Sequence, residues 1–342
     1  MKAIVIHEHG GPEVLRHEDF PDPVAAPGEA LVRVRACALN HLDLWTRRGL
    51  PGRSLPFPHI LGSDIAGEIE ALGSASEGLA VGQHVMLSPG TSCGRCRACL
   101  SGEDSACRHY RILGAQLHGG YAELVRCPLP NLIPLPDSIS FEAAAAFPLV
   151  FLTAWRMLVT RARVRPGEDV LVWAAGSGVG MAAIQVAKHW GARVIATAGT
   201  TLKLELARSL GADAVIDHYR DDVLAEIRRL TNKKGVEVVI EHVGQATWER
   251  SIQALAHRGR LVTCGATTGS NGATELRYLF SKQLTLMGSY MGSKAELLEA
   301  AELFFAGKLK PAVHALLPLT EARRAHQMME ASEHFGKLVL RA

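Results

Sequence analysis

The chain has 342 residues, which at roughly 150 residues per domain is enough for about two domains. Hydrophobic residues make up 48% and charged residues 21%, an ordinary globular balance that excludes a disordered tail, a collagen-like array and a disulfide-stapled mini-protein. Lys plus Arg (37) against Asp plus Glu (34) leaves a net charge of +3, too even for a nucleic-acid or anionic-membrane partner.

The opening Met1 to Glu8 meets charged residues too early for a signal peptide, so it reads as a first strand of a cytoplasmic protein. No run of about 18 apolar residues occurs, and no membrane span is expected. The first 130 residues read as β-rich. Residues 30–36 alternate apolar and polar positions, the period of a strand with one face in water, and 64–72, 83–87 and 121–127 read similarly between Pro and Gly turns. From residue 151 the rhythm changes. Short β-branched runs at 169–174, 193–197, 214–217, 236–241, 260–264 and 284–289 alternate with amphipathic helical stretches, the pattern of an α/β doubly wound parallel sheet. A helix at 294–306 and a strand at 337–340 follow. This tail leaves the βα rhythm and is expected to pair back onto the N-terminal domain, which gives boundaries of 1–150, 151–290 and 291–342.

The first strand of the parallel sheet runs into Ala175-Gly176-Ser177-Gly178-Val179-Gly180 and then a helix. Glycines there allow a tight turn, close approach of backbone to a pyrophosphate and close helix–strand packing, with the phosphates on the helix N-terminus. The spelling departs from strict G-x-G-x-x-G, because Ala174 or Ala175 and Ser177 stand at glycine positions. NAD sites usually place Asp or Glu about 20 residues on, at the end of the next strand, to accept from the ribose 2′-OH. Here Ala198-Gly199-Thr200-Thr201-Leu202-Lys203 carries no acid. Lys203 alone would read as a solvated helix-face lysine. With the acid missing, Thr200 and Lys203 can supply a hydroxyl and a positive charge to a 2′-phosphate, so NADP(H) is favoured over NAD(H).

Seven cysteines in a cytoplasmic chain argue against a disulfide framework. Cys37, Cys127 and Cys264 are scattered, whereas Cys93, Cys96, Cys99 and Cys107 crowd together. That spacing suits a tetrahedral four-thiolate zinc site. An iron–sulfur pattern opens the same way, but its fourth Cys usually follows three residues later and before Pro; here the gap is seven and Arg108 follows. Four protein ligands leave no open position, so a zinc there is structural, one per chain.

On several stretches the chain resembles the medium-chain dehydrogenase/reductase superfamily along essentially its whole length, most of all its quinone oxidoreductase side. They are Gly10-Gly11-Pro12-Glu13-Val14-Leu15, Ala38-Leu39-Asn40-His41-Leu42-Asp43, residues Pro58 to Gly67, the glycine-rich turn and the closing Gly336-Lys337. The resemblance implies a GroES-like β-domain with a structural zinc lobe at about 90–110, a Rossmann NADP-binding domain, and assembly as a homodimer or homotetramer. It adds Val243, Cys264, Gly265 and Lys337 to the cofactor contacts. Zinc-containing alcohol dehydrogenases of this superfamily carry the same cysteine lobe and a second, catalytic zinc. At the positions of that second zinc's ligands this chain has Asn40 for Cys, Ser63 and Asp64 for the His-Glu pair, and Leu149 for Cys; Cys37 is out of register. Ser63 and Leu149 cannot replace imidazole and thiolate. His41 and His59 stand nearby as improvised donors, though each reads first as a hydrogen-bonded structural histidine.

The resulting expectation is an NAD(P)H-dependent reductase of quinones or conjugated carbonyls working by direct hydride transfer without a catalytic zinc. Asn40 would donate to the acceptor carbonyl, Thr153 would lie near the nicotinamide, and Asp43 and Asp64 would hold local geometry. The alternatives are a zinc-dependent alcohol dehydrogenase and a non-catalytic NADPH-binding protein.

Overall fold

Alternating side chains build the first half of the fold. In the strand Glu29–Ala38, Ala30, Val32, Val34 and Ala36 are buried, while Arg33 and Arg35 point outward and pair with Glu70 and Glu68 of the neighbouring strand. A computed structural model describes every residue except Pro51, Arg53, Ala75, Ser76 and Glu77. It divides into two compact units, one of Met1–Leu149, Ser293–Ala295 and Pro311–Ala342, the other of Val150–Gly292 and Glu296–Lys310.

The first unit centres on a seven-stranded sheet in the order Leu132–Pro134, His84–Leu87, Asp64–Leu72, Glu29–Ala38, Lys337–Arg341, Val313–Pro318, with Leu124–Pro128 also pairing to Glu29–Ala38. A smaller sheet sets Lys2–Ile6 between Arg16–Asp19 and His59–Ile60. Strand register decides which distant residues become neighbours. Ala38 faces Asp64 on one side and Val339 on the other. Asn40 as the chain leaves one strand, Asp64 at the start of the next, and Lys337 at the start of the C-terminal strand therefore meet at one end of the sheet.

In the second unit we number the six strands β1 (Asp169–Val172), β2 (Arg193–Ala198), β3 (Ala214–Asp217), β4 (Val236–Glu241), β5 (Leu255–Thr263) and β6 (Thr285–Gly288). All are parallel, in the order 3-2-1-4-5-6, the doubly wound dinucleotide arrangement. The central strands are apolar throughout, as a sheet covered on both faces requires: Val170, Leu171, Val172, Val194, Ile195, Val238, Val239 and Ile240 are all buried. One strand boundary of this sheet differs from the sequence reading by more than two residues. β5 begins at Leu255 rather than 260, because Ala256-His257-Arg258-Gly259 looks like a turn yet stays in the ladder as an irregularity, with Arg258 at φ 61° and a register shift between Val236 and Val238. The helix Lys294–Phe305 lies mostly in the second unit; Ser293–Ala295 belongs to the first unit, as does the chain from Pro311 on. Among the described residues no helix is long and apolar enough to cross a membrane.

Candidate functional site

At the carboxyl end of β1 the chain turns through Ala174, which takes the left-handed conformation (φ 46°) usually left to glycine, and enters the helix α1 (Gly178–His189). Ser177 caps that helix, its Oγ accepting from Gly180 N at 2.9 Å. Gly180 has to be glycine: a Cβ there would stand 2.4 Å from the Ala174 carbonyl oxygen. The turn thus offers unpaired helix N–H groups in a backbone cradle, which fits a pyrophosphate.

At the end of β2 the helix α2 (Thr201–Ser209) begins, and Thr200 spends its hydroxyl oxygen as the N-cap, accepting from Lys203 N at 3.3 Å. The Lys203 side chain lies across the turn, with Cδ 3.0 Å from where a Gly176 Cβ would be, and burial lowers its pKa. His218 and Tyr219 close round Gly199, where any side chain would strike the Tyr219 ring. No carboxylate stands at 198–203.

Beyond β4, Val243 is already engaged through its backbone. Its N–H donates to Glu241 Oε1 (2.6 Å) and its carbonyl accepts from Thr268 Oγ1 (2.8 Å), so only its side chain remains for a ligand. Glu241 is wholly buried and also accepts from Gly244 N, Thr247 Oγ1 and Ser251 Oγ, a knot that fixes this strand end. Burial pushes the Cys264 thiol up to about 12, so it is a neutral, packed thiol; Gly265 lies beside it, its carbonyl accepting from Thr263 Oγ1. Thr153, in the helix Pro148–Trp155, is buried within the second unit.

In the first unit, Asn40, Asp64 and Lys337 form a closed polar group, exposed by only 5%, 0% and 1%. Lys337 Nζ donates to Asn40 Oδ1 (2.6 Å) and Asp64 Oδ2 (2.9 Å); Asn40 Nδ2 donates to the same Asp64 oxygen (2.9 Å). The other carboxylate oxygen accepts from Leu149 N at 2.8 Å. The Lys337 ammonium is thus held by two side chains of its own unit. Ser63, wholly buried next to Asp64 in the chain, has an Oγ without a hydrogen-bond partner.

Asp43 sits just beneath this group in sequence and holds it in shape. As the third residue of the helix His41–Arg48 it turns back to accept from Asn40 N (2.7 Å), and its other oxygen accepts from Gly62 N (3.0 Å). Burial raises its pKa to about 7 against the pull of those two N–H groups and of Lys337. A further chain of buried groups was not visible in the sequence. Arg47, fully buried, donates from Nη1 to His326 Nδ1 (2.9 Å), so that ring carries its proton on Nε2, facing Tyr121 Oη at 3.2 Å. His59 is buried against the Gly114 carbonyl, and burial lowers its pKa to about 4.

The sulfurs of Cys93, Cys96, Cys99 and Cys107 lie within 4.8 Å of one another. Three of their separations are 3.9, 3.5 and 3.6 Å, close to the edge of about 3.8 Å for a tetrahedron with metal–sulfur bonds of roughly 2.3 Å. Backbone N–H groups of Arg95 and Cys96 hold the Cys93 thiol down to about 6, and His109 N donates to Cys107 Sγ (3.3 Å). Among the described residues no other three His, Cys, Asp or Glu side chains bring ligand atoms together, so His41, His59 and Asp64 do not form a second set.

Residues 26–137 match the alcohol dehydrogenase GroES-like domain family and residues 178–306 the zinc-binding dehydrogenase family. A quinone oxidoreductase of Pseudomonas aeruginosa is 34% identical, the match covering 99% of each chain. The chain belongs to the medium-chain dehydrogenase/reductase superfamily. Like other members it is an NAD(P)-dependent oxidoreductase, in a superfamily that acts on small molecules and is often oligomeric. An NAD-dependent alcohol dehydrogenase of Sulfolobus acidocaldarius is 32% identical over 100% of this chain and 99% of its own. A crystal structure described as an NAD-dependent alcohol dehydrogenase superposes with a TM-score of 0.97 at 49% identity over the full length of both chains.

Proposed function

We propose that this superfamily member is an NADPH-dependent reductase of quinones or other conjugated carbonyls that needs no catalytic metal. The carrying observation is the saturation of Asp64. Its oxygens accept from an ammonium, an amide and a backbone N–H. A divalent ion at that carboxylate would have to displace Lys337, and it would find Asn40, Ser63 and Leu149 where zinc prefers thiolate and imidazole.

Ala175, Gly176, Ser177, Gly178, Val179 and Gly180 would hold the pyrophosphate, and Gly199, Thr200 and Lys203 the adenosine end. Val243, Cys264 and Gly265 would line the nicotinamide side with Thr153. A reduced nicotinamide, when bound, supplies the hydride. The chain's own part is to orient the acceptor and stabilise charge on its oxygen. Asn40 donates to that oxygen, and Asp43 and Asp64 keep Asn40 in place. Conjugated acceptors suit such a site because the incoming electron pair spreads to a remote oxygen. The four lobe cysteines hold one structural zinc, and the chain assembles as a homodimer or homotetramer.

The 49% identity to a protein described as an NAD-dependent alcohol dehydrogenase favours a second reading, alcohol oxidation with NAD⁺. The two separate in one spectrophotometric series at 340 nm (roughly the absorption band of reduced nicotinamides). Oxidation of NADPH by quinones and enals, with no turnover of simple alcohols, supports the proposal. NAD⁺-dependent oxidation of alcohols without quinone reduction refutes it.

A further inference from the structure

Counting hydrogens in the buried trio of the first unit gives more than a scaffold. The Asn40 amide has two N–H groups and gives one to Asp64; the Lys337 ammonium has three and gives one to Asn40 and one to Asp64. One donor is left on each. Both nitrogens lie 2.9 Å from the same oxygen of Asp64, so the two remaining donors start from neighbouring atoms. Asp64 fixes both, and the Lys337 contact to Oδ1 decides which way the Asn40 amide faces. Next in the chain, the buried Ser63 hydroxyl lacks a hydrogen-bond partner.

We propose that Lys337 is a second, charged catalytic donor, forming with Asn40 a two-donor cradle for the carbonyl oxygen of the acceptor. This rests on the reductase reading above. The acceptor gains hydride at its β-carbon, its C=C pair moves into the bond to the carbonyl carbon as the C=O pair moves onto oxygen, and that enolate oxygen sits against the ammonium and the amide. One proton from water then yields the saturated carbonyl, the two electrons being those lost by reduced nicotinamide dinucleotide. With the trio almost wholly enclosed, bulk water screens little of the ammonium's field. A cation is thus built into the chain at the carboxylate where a metalloenzyme would hold its ion.

Lys337→Met strands a buried carboxylate and risks misfolding, so Lys337→Met/Asp64→Asn, which removes both charges, is its companion. In the folded double variant kcat for an enone should fall by roughly 10²-fold or more, with KM changed far less. A second readout needs no turnover. A substituted phenol bound to the wild-type chain should ionise at lower pH than in water, seen by its absorption, and this shift should vanish in the double variant. Recovery of wild-type kcat by the neutral pair would show that Lys337 is only the counter-ion of Asp64 and overturn the proposal, as would an unchanged phenol shift. Failure of the wild-type chain to reduce any quinone or enone would instead strike the reductase reading, leaving the phenol shift to judge Lys337 alone.

Discussion

Replacing Asp43 with Asn should change how stability depends on pH. The carboxyl is fully buried, and burial raises its pKa from 3.8 to about 7. Folded Asp43 keeps its proton up to about pH 7, whereas the unfolded carboxyl releases it near 3.8. Between those values the folded chain binds the extra proton, so this group makes the protein lose stability as pH rises through the window. The full difference corresponds to about 4 kcal/mol. Asp43→Asn removes it and adds a pH-independent cost of about 1–3 kcal/mol, because one amide oxygen cannot serve both Asn40 N and Gly62 N. Urea unfolding followed by tryptophan fluorescence from about pH 4.5 to about pH 8 measures both chains. The wild-type advantage should shrink over that range by about 3 kcal/mol and level off above about pH 7. An advantage that stays constant or grows with pH would refute the reasoning.

Cys96→Ser should release zinc and lower the melting temperature, since thiolate–zinc binding contributes on the order of 10 kcal/mol to local folding. Metal analysis and calorimetry check this, while cofactor titration of the folded fraction should stay unchanged; a brown protein absorbing near about 400 nm would mean an iron–sulfur cluster instead. Lys203→Ala should raise the Kd for NADPH by roughly ten-fold or more, the loss of one charge-assisted contact of about 1.5–3 kcal/mol, and leave that for NADH almost unchanged. Fluorescence titration reads both, and equal losses would remove Lys203 as the discriminator.

The parallel sheet was legible because its strands are continuous β-branched runs flanked by amphipathic helices, a period change that needs no long-range information. The cysteine spacing was equally local. What escaped was convergence. Lys337 meets Asn40 and Asp64 across 297 and 273 residues of chain, and Tyr121 meets His326 across 205. Each sequence segment alone reads as an ordinary strand end or helix face. Only the register that sets Ala38 between Asp64 and Val339 turns a terminal lysine into a buried neighbour of Asn40. The extra half of β5 escaped for the opposite reason, since His257-Arg258-Gly259 carries the local signature of a turn that the ladder overrides.

The most direct test of metal-free reduction is zinc per chain, measured by atomic spectrometry on the same preparation assayed with quinones and with simple alcohols. One zinc per chain, with NADPH-dependent quinone or enal reduction that survives brief chelation, is the expected result, because the thiolate lobe is closed and Asp64 already has its cation. Two zincs per chain, with chelator-sensitive oxidation of primary or secondary alcohols, would contradict it.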